Sequence, residues 1–176
     1  MTSKIIHESA LKLLKRCDSR NPFKIAEEIG VHVLFRNDFV QLKGMYTIIK
    51  RNRFIFINAN LDECKQRIIC AHELGHDTIH REFAKEKVLQ EFTLYDMSTR
   101  PEYEANVFAA ELLIDDNEVF ELAQEGFTEQ QIASELYTDM NLLLIKMQEM
   151  NKRGYNFNLS EVPRGDFLGR QAFEKM

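Results

Sequence analysis

The chain has 176 residues, 44% of them hydrophobic and 29% charged, which is the balance of one globular domain with a real core. Its formal net charge of −5 argues against a broad nucleic-acid surface, because such a surface needs a basic field. There is no long apolar run, no signal-peptide pattern and no CxxC spacing among the cysteines, which predicts a cytoplasmic protein without a membrane span or a disulfide framework.

The N-terminal third of the chain predicts helices followed by a small sheet. Apolar residues recur at helical spacing at the start, and a short second helix is predicted between the Asn21 cap and Gly30. Alternating apolar residues then predict a strand at 31–35, and two more strands at 44–50 and 53–58 are joined by a tight turn. We expect these segments to form a small antiparallel sheet of about three strands.

Helices dominate the prediction for the middle of the chain. A long helix is predicted from about Asn60 to Arg81, with Asn60 as its cap and Glu63 in the position of a capping-box carboxylate. Loops are predicted within 82–100. A second strong helix is predicted at 101–114, because proline is favoured in a first helical turn.

The C-terminal segment predicts two further helices and an irregular tail. The order of helices, strands and helices along the chain indicates an α+β fold. We therefore divide the chain into a main domain at residues 1–122 and a small helical appendage with its tail at 123–176.

The stretch CAHELGHDTIH, residues 70–80, carries the clearest functional signal. His72 and His76 are four residues apart, so on a helix they lie on one face and can direct imidazole nitrogens at one ion. Glu73 is rotated by one residue and can reach a water held on that ion without binding the ion itself. This is the HExxH arrangement, in which the glutamate acts as general base, and it predicts a zinc site.

A catalytic zinc needs a third protein ligand, and the predicted helix at 101–114 is the best source. Gly75 is unfavourable inside a helix, which indicates that another backbone passes close to it. Glu102 and Glu104 are about 200° apart around a helix, so they cannot both face the metal. If Glu102 is the ligand, Asn106 lies on its face and can accept a hydrogen bond from a liganding histidine, while Glu104 is expected at the surface.

His80 lies one turn beyond His76 but is predicted not to be a ligand. About 12 Å of helical rise separates it from His72, so a straight helix cannot bring all three rings to one ion. We expect His80 to orient a ligand, to contact substrate or simply to pack. An oxyanion donor is also needed, and Tyr46, Tyr103 and His80 remain equal candidates for it.

Three stretches together resemble the ImmA/IrrE metallopeptidases of bacteria and their mobile elements. They are AHELGHDTIH, EYEANVFAAELL, and the upstream order NPFKIAEEIG, LKGMY and FIFINANL. The resemblance covers roughly residues 20–115. Asp115 departs from the pattern, because relatives often have a proline there, and this leaves the end of the second long helix open.

The resemblance implies a compact zincin-like fold with one zinc ion. It implies that His72, His76 and Glu102 are the zinc ligands and that Glu73 is the catalytic base. It also implies that the strand FIFIN, residues 54–58, is an edge strand that receives the substrate backbone.

Members of this family typically cut a helix-turn-helix repressor, so the resemblance implies a zinc-dependent endopeptidase that derepresses genes of a mobile element or a stress response. The alternative is a DNA-binding or protein-binding regulator with a structural zinc and no peptidase activity, because residues 127–155 have the rhythm of a helix-turn-helix. The second helix of that segment offers only Lys146 among its apolar residues, with Lys152 and Arg153 just after it, so direct nucleic-acid binding is not expected. The sequence identifies neither the repressor nor an oligomeric state.

Overall fold

Helices pack against a small mixed sheet in the computed structural model, which describes residues 2–82, 89–91, 97, 99–160 and 163. The helices in these ranges are α1 (Ser3–Cys17), α2 (Pro22–Glu28), α3 (Glu63–Ile79), α4 (Arg100–Leu113), α5 (Asp116–Gln124), α6 (Glu129–Glu135) and α7 (Met140–Lys152). The strands are β1 (Val31–Arg36), β2 (Gly44–Ile49), β3 (Asn52–Asn58) and β4 (Leu89–Glu91). The α+β class is therefore confirmed.

The sheet differs from the predicted antiparallel one. Its strand order is β1-β3-β2-β4, and β1 runs parallel to β3 while the other pairs are antiparallel. The fourth strand, β4, comes from the segment for which loops were predicted. Alternation along a strand shows which face is buried, but it carries no information about the neighbour or its direction.

The expectation that FIFIN forms an edge strand is wrong. This segment belongs to β3, which is hydrogen-bonded to β1 on one side and to β2 on the other. A strand paired on both sides has no backbone donors and acceptors left for a substrate. In the described part of the sheet, the edges are β1 and β4.

Side-chain caps define where the helices begin. Asn21 accepts a hydrogen bond from the Phe23 amide at 3.0 Å and starts α2 as predicted. The cap of α3 is Asp62 rather than Asn60, since its carboxylate accepts from the Lys65 amide at 2.8 Å. Asn60 instead uses its side chain to bind backbone carbonyls of the loop after β1.

One hydrophobic core joins all seven of these helices to the sheet. The last helix, α7, packs against α4, and it contributes to that core Leu142, Leu143, Ile145, Met147 and Met150. The division at residue 122 remains our proposal and separates the segments that carry the predicted metal ligands from those that do not. Among the described residues, no helix combines the length and apolar character that crossing a bilayer requires.

Candidate metal centre

The centre lies where α3 and α4 approach each other most closely. A Cβ atom built on Gly75 would lie 3.2 Å from Cα of Ala105 and 3.2 Å from Cβ of Phe108. The sequence-based expectation that another backbone passes Gly75 is therefore correct. Only the missing side chain lets the first turns of α4 sit over the histidine face of α3.

Three side-chain atoms converge between these helices. Nε2 of His72 lies 3.1 Å from Nε2 of His76 and 3.1 Å from Oε2 of Glu102, and His76 Nε2 lies 3.4 Å from the same oxygen. Ligands about 2.0–2.1 Å from a tetrahedral ion are about 3.3–3.4 Å from one another. The triangle thus has the size of one face of a tetrahedral metal site.

Asn106 fixes the orientation of the first histidine. Nδ1 of His72 and Oδ1 of Asn106 are 2.9 Å apart and both buried. The amide oxygen can only accept, so the ring donates its Nδ1–H and keeps a lone pair on Nε2. That lone pair faces the centre of the triangle, as a metal ligand requires.

A second set of bonds orients the other histidine. His76 Nδ1 lies 3.0 Å from His80 Nδ1, and His80 Nε2 lies 3.0 Å from Oε2 of Glu104. The structure therefore brings His80 against a ring of the triangle but not into the triangle itself, in agreement with the helical-rise argument.

The expectation that Glu104 lies at the surface is wrong, because its exposed fraction is only 5%. It does face away from the triangle, as its position on α4 predicts. The end of α3, which carries His80, covers that other side of α4. In the sequence, only His80 could have indicated that Glu104 is buried, since a buried imidazole needs a hydrogen-bonding partner.

The charges of the triangle suit a cation. Burial lowers the pKa of His76 to about 4, so its ring is neutral at pH 7. Burial alone would raise the pKa of Glu102, but its interactions with His72 and His76 outweigh burial and lower that pKa, so the carboxylate is ionised. Two imidazole lone pairs and an anionic oxygen at these distances repel one another unless a cation lies between them. The residues therefore fit a metal ion, and a neutral-nitrogen and carboxylate set suits zinc.

Glu73 occupies a buried position next to the first histidine, with an exposed fraction of 1%. It packs against the start of β2, where a Cβ atom on Gly44 would come within 2.7 Å of Glu73 Oε1. A glycine at residue 44 therefore provides the space that this carboxylate fills.

All three oxyanion candidates make other contacts within the protein. Tyr46 is buried and donates its hydroxyl proton to Asp77 at 2.6 Å, and its pKa is raised by burial and by that hydrogen bond. His80 uses both ring nitrogens in the bonds to His76 and Glu104. The Tyr103 hydroxyl donates to Glu149 at 2.8 Å.

A buried ionic cluster joins α1, α4, α5 and α7. Lys146 Nζ lies 2.6 Å from Glu111 Oε2 and 2.5 Å from Asp116 Oδ1, and Glu111 also contacts Arg153 at 2.5 Å and His7 at 2.9 Å. Lys146 has an exposed fraction of 1%. Lys146 is therefore inaccessible to DNA, which adds to the argument against a recognition helix in this segment.

Comparison with known proteins gives a consistent picture. The model of a peptidase family described as the IrrE N-terminal-like domain matches residues 26–156. An uncharacterized immunity region protein of Bacillus phage phi105 is 35% identical over 129 residues, which span 73% of this chain and 80% of the phage protein. Metallopeptidase ImmA of Bacillus subtilis strain 168 is 29% identical over 136 residues, which span 76% of this chain and 78% of that protein.

Proposed function

The chain belongs to the ImmA/IrrE peptidase family, that of the IrrE N-terminal-like domain, and from this premise we propose that it is a zinc-dependent endopeptidase. The family implies a metal. The observation that carries the proposal is the triangle formed by nitrogen atoms of His72 and His76 and an oxygen atom of Glu102. The Glu73 carboxylate lies on α3, the helix that carries both histidines. Two imidazoles and a carboxylate at tetrahedral spacing support zinc as that metal.

The residues divide the chemistry between them. A zinc ion at the triangle would polarise the scissile carbonyl and lower the pKa of the attacking water. Glu73 takes a proton from that water as its oxygen attacks the carbonyl carbon, and it delivers the proton to the amine nitrogen as the C–N bond breaks. Asn106 and His80 hold the two ligand rings at the angles that the ion requires.

We further propose that the substrate is a protein partner of the helix-turn-helix repressor class. The likeness to a phage immunity region protein and to a metallopeptidase supports this, because repressors govern the immunity of phages and mobile elements. Cleavage would remove the repressor from its operator and release the repressed genes. The reaction would take place in the cytoplasm, where such repressors bind DNA.

The test uses the zinc-loaded protein and its Glu73→Gln variant. Each is mixed with the helix-turn-helix repressor encoded beside the gene, and intact mass spectrometry follows the products. We expect wild type to produce two fragments whose masses sum to that of the repressor plus one water. Glu73→Gln should bind the same amount of zinc and produce no fragment.

The controls separate the competing hypotheses. Chelated wild type should be inactive, and a contaminating protease would cut equally in both variants. A regulator with a structural zinc would leave the repressor intact in every sample, and that result from folded, zinc-loaded wild type would contradict the proposed activity.

A further inference from the structure

A line of four side chains runs from the surface of α4 to the triangle. Arg100, whose side chain is 73% exposed, donates from Nε to Oε1 of Glu104 at 2.9 Å. The other oxygen of Glu104 contacts Nε2 of the buried His80 at 3.0 Å, and His80 Nδ1 meets His76 Nδ1 at 3.0 Å. The other ring nitrogen of His76, Nε2, belongs to the triangle.

The Glu104 carboxylate determines which nitrogen of each histidine in this line carries the proton. An ionised carboxylate can only accept, so His80 places its proton on Nε2 and leaves a lone pair on Nδ1. That lone pair can only accept, so His76 places its proton on Nδ1. Its Nε2 then carries the lone pair that faces the triangle.

We propose that Glu104 is a positioning residue, which acts through His80 to hold His76 in the tautomer whose Nε2 lone pair points at the metal. The inference rests on the proposed function in one respect, namely that the triangle binds a metal ion. It deepens that function by assigning to the metal centre a residue that binds neither metal nor substrate.

His80 alone cannot perform this task. A neutral imidazole can carry its proton on either nitrogen, and with the proton on Nδ1 it would donate to His76. His76 would then carry its own proton on Nε2, where it blocks metal binding. The Arg100 guanidinium beside Oε1 keeps the Glu104 carboxylate oriented along the line.

The first test removes the acceptor. We expect Glu104→Ala to weaken zinc binding about 10- to 100-fold, measured by competition with a chromophoric chelator. The matched control is Glu149→Ala, which deletes a buried carboxylate of α7 that contacts Tyr103 of α4 and Lys152 of α7. Its zinc affinity should stay within about threefold of wild type.

A second readout does not depend on the metal. Long-range ¹H–¹⁵N correlation spectra of the metal-free protein report which histidine nitrogen carries the proton. We expect His76 to be protonated on Nδ1 in wild type and in Glu149→Ala, and to show both tautomers in Glu104→Ala. A role confined to packing would leave this pattern unchanged.

Two substitutions at His80 test whether His76 needs a hydrogen-bond acceptor at residue 80. They also test the proposal if Glu104→Ala does not fold. His80→Gln offers His76 an amide oxygen as acceptor, whereas His80→Leu offers none. We therefore expect the glutamine variant to bind zinc at least about fivefold more tightly than the leucine variant.

The outcomes distinguish this inference from the proposed function. Wild-type zinc affinity and an unaltered His76 tautomer in Glu104→Ala would overturn the positioning role, even in an enzyme that cleaves its repressor. Conversely, a wild type that binds zinc in the expected tautomer but cuts nothing would contradict the peptidase and leave the positioning role intact.

Discussion

At the scale of single residues, the candidate centre depends as much on side chains that are missing as on those that are present. Gly75 lets α4 lie against α3, and Gly44 leaves room for Glu73 beside β2. Neither glycine needs a positive φ, so their value lies in the close approach that they permit. The position of α4 and that of the Glu73 carboxylate thus depend on two glycines that bind no metal.

Gly44→Ala should impair catalysis without impairing metal binding. The new Cβ would lie 2.4 Å from Cγ2 of Ile69 and 2.7 Å from Glu73 Oε1, so both side chains must move, whereas none of its three nearest contacts involves His72, His76 or Glu102. We expect repressor cleavage to fall about 10- to 100-fold, because small misplacements of a catalytic group have effects of that order. Zinc affinity should remain within about threefold of wild type.

The control for this change is Thr47→Ser. Thr47 is three residues after Gly44 on β2, so its side chain lies on the other face of the sheet. It should leave cleavage unchanged. Equal activity of Gly44→Ala and wild type would show that the Glu73 carboxylate does not need the space at residue 44.

At the scale of elements, α4 performs more than one task along a single helix. Its first turns supply Glu102 to the triangle, Glu104 to His80 and Asn106 to His72, and its last turn supplies Glu111 to the buried ionic cluster. The two ends of α4 therefore connect the candidate metal centre to α7. Displacing α7 should therefore shift His72 and His76, because α4 contacts both α7 and these histidines.

The ionic cluster should make stability depend on pH. Burial alone would raise the pKa of Glu111, but its contacts with Lys146, His7 and Arg153 outweigh burial and lower that pKa. A carboxylate with a depressed pKa in the folded state stabilises the fold above its unfolded pKa of about 4.3, and that contribution is lost as the pH falls through the folded value. We expect the unfolding free energy of metal-free wild type to decrease steeply below about pH 4.5.

Glu111→Gln tests this account by urea unfolding at a series of pH values. The variant should be less stable at pH 7 by about 3 kcal/mol, because it leaves buried cations without their partner, and it should lose less stability on acidification. The exposed Glu121→Gln should follow the wild-type curve. A Glu111→Gln curve parallel to that of wild type would assign the pH dependence to other carboxylates.

At the scale of the whole molecule, a metal ion in the triangle would act as a cross-link between α3 and α4. Ligands that bind only the folded state stabilise it by about 2.7 kcal/mol when their free concentration is 100 times Kd. In a chain of this size we expect EDTA to lower Tm by about 5–10 °C. Differential scanning calorimetry with and without zinc measures the effect.

Two variants show whether the effect arises at the triangle. Glu102→Gln removes an anionic ligand, so its Tm should respond little to EDTA. Glu73→Gln retains all three ligands, and its Tm should respond as that of wild type does. An equal EDTA response in Glu102→Gln and wild type would place the bound metal elsewhere in the molecule.

Much of the candidate centre could be predicted from the sequence because its decisive relations are local. The four-residue spacing of His72 and His76 places them on one face of any helix, and the same spacing places Asn106 on the face of Glu102. The Asn21 cap and the close approach at Gly75 were predicted on similar grounds. Helical periodicity justifies the first two inferences, and the cap preference of asparagine and the cost of glycine inside a helix justify the other two.

Tertiary structure decided everything that depends on which element covers which face. Lys146 was considered as a cation that the last helix could offer to DNA, but it is buried and pairs with Glu111 of α4 and Asp116 of α5. Glu104 was placed at the surface, but His80 at the end of α3 covers it. Periodicity shows how a side chain points from its own helix or strand. It does not reveal the distant segment that packs there, because that choice depends on the free energy of the whole fold.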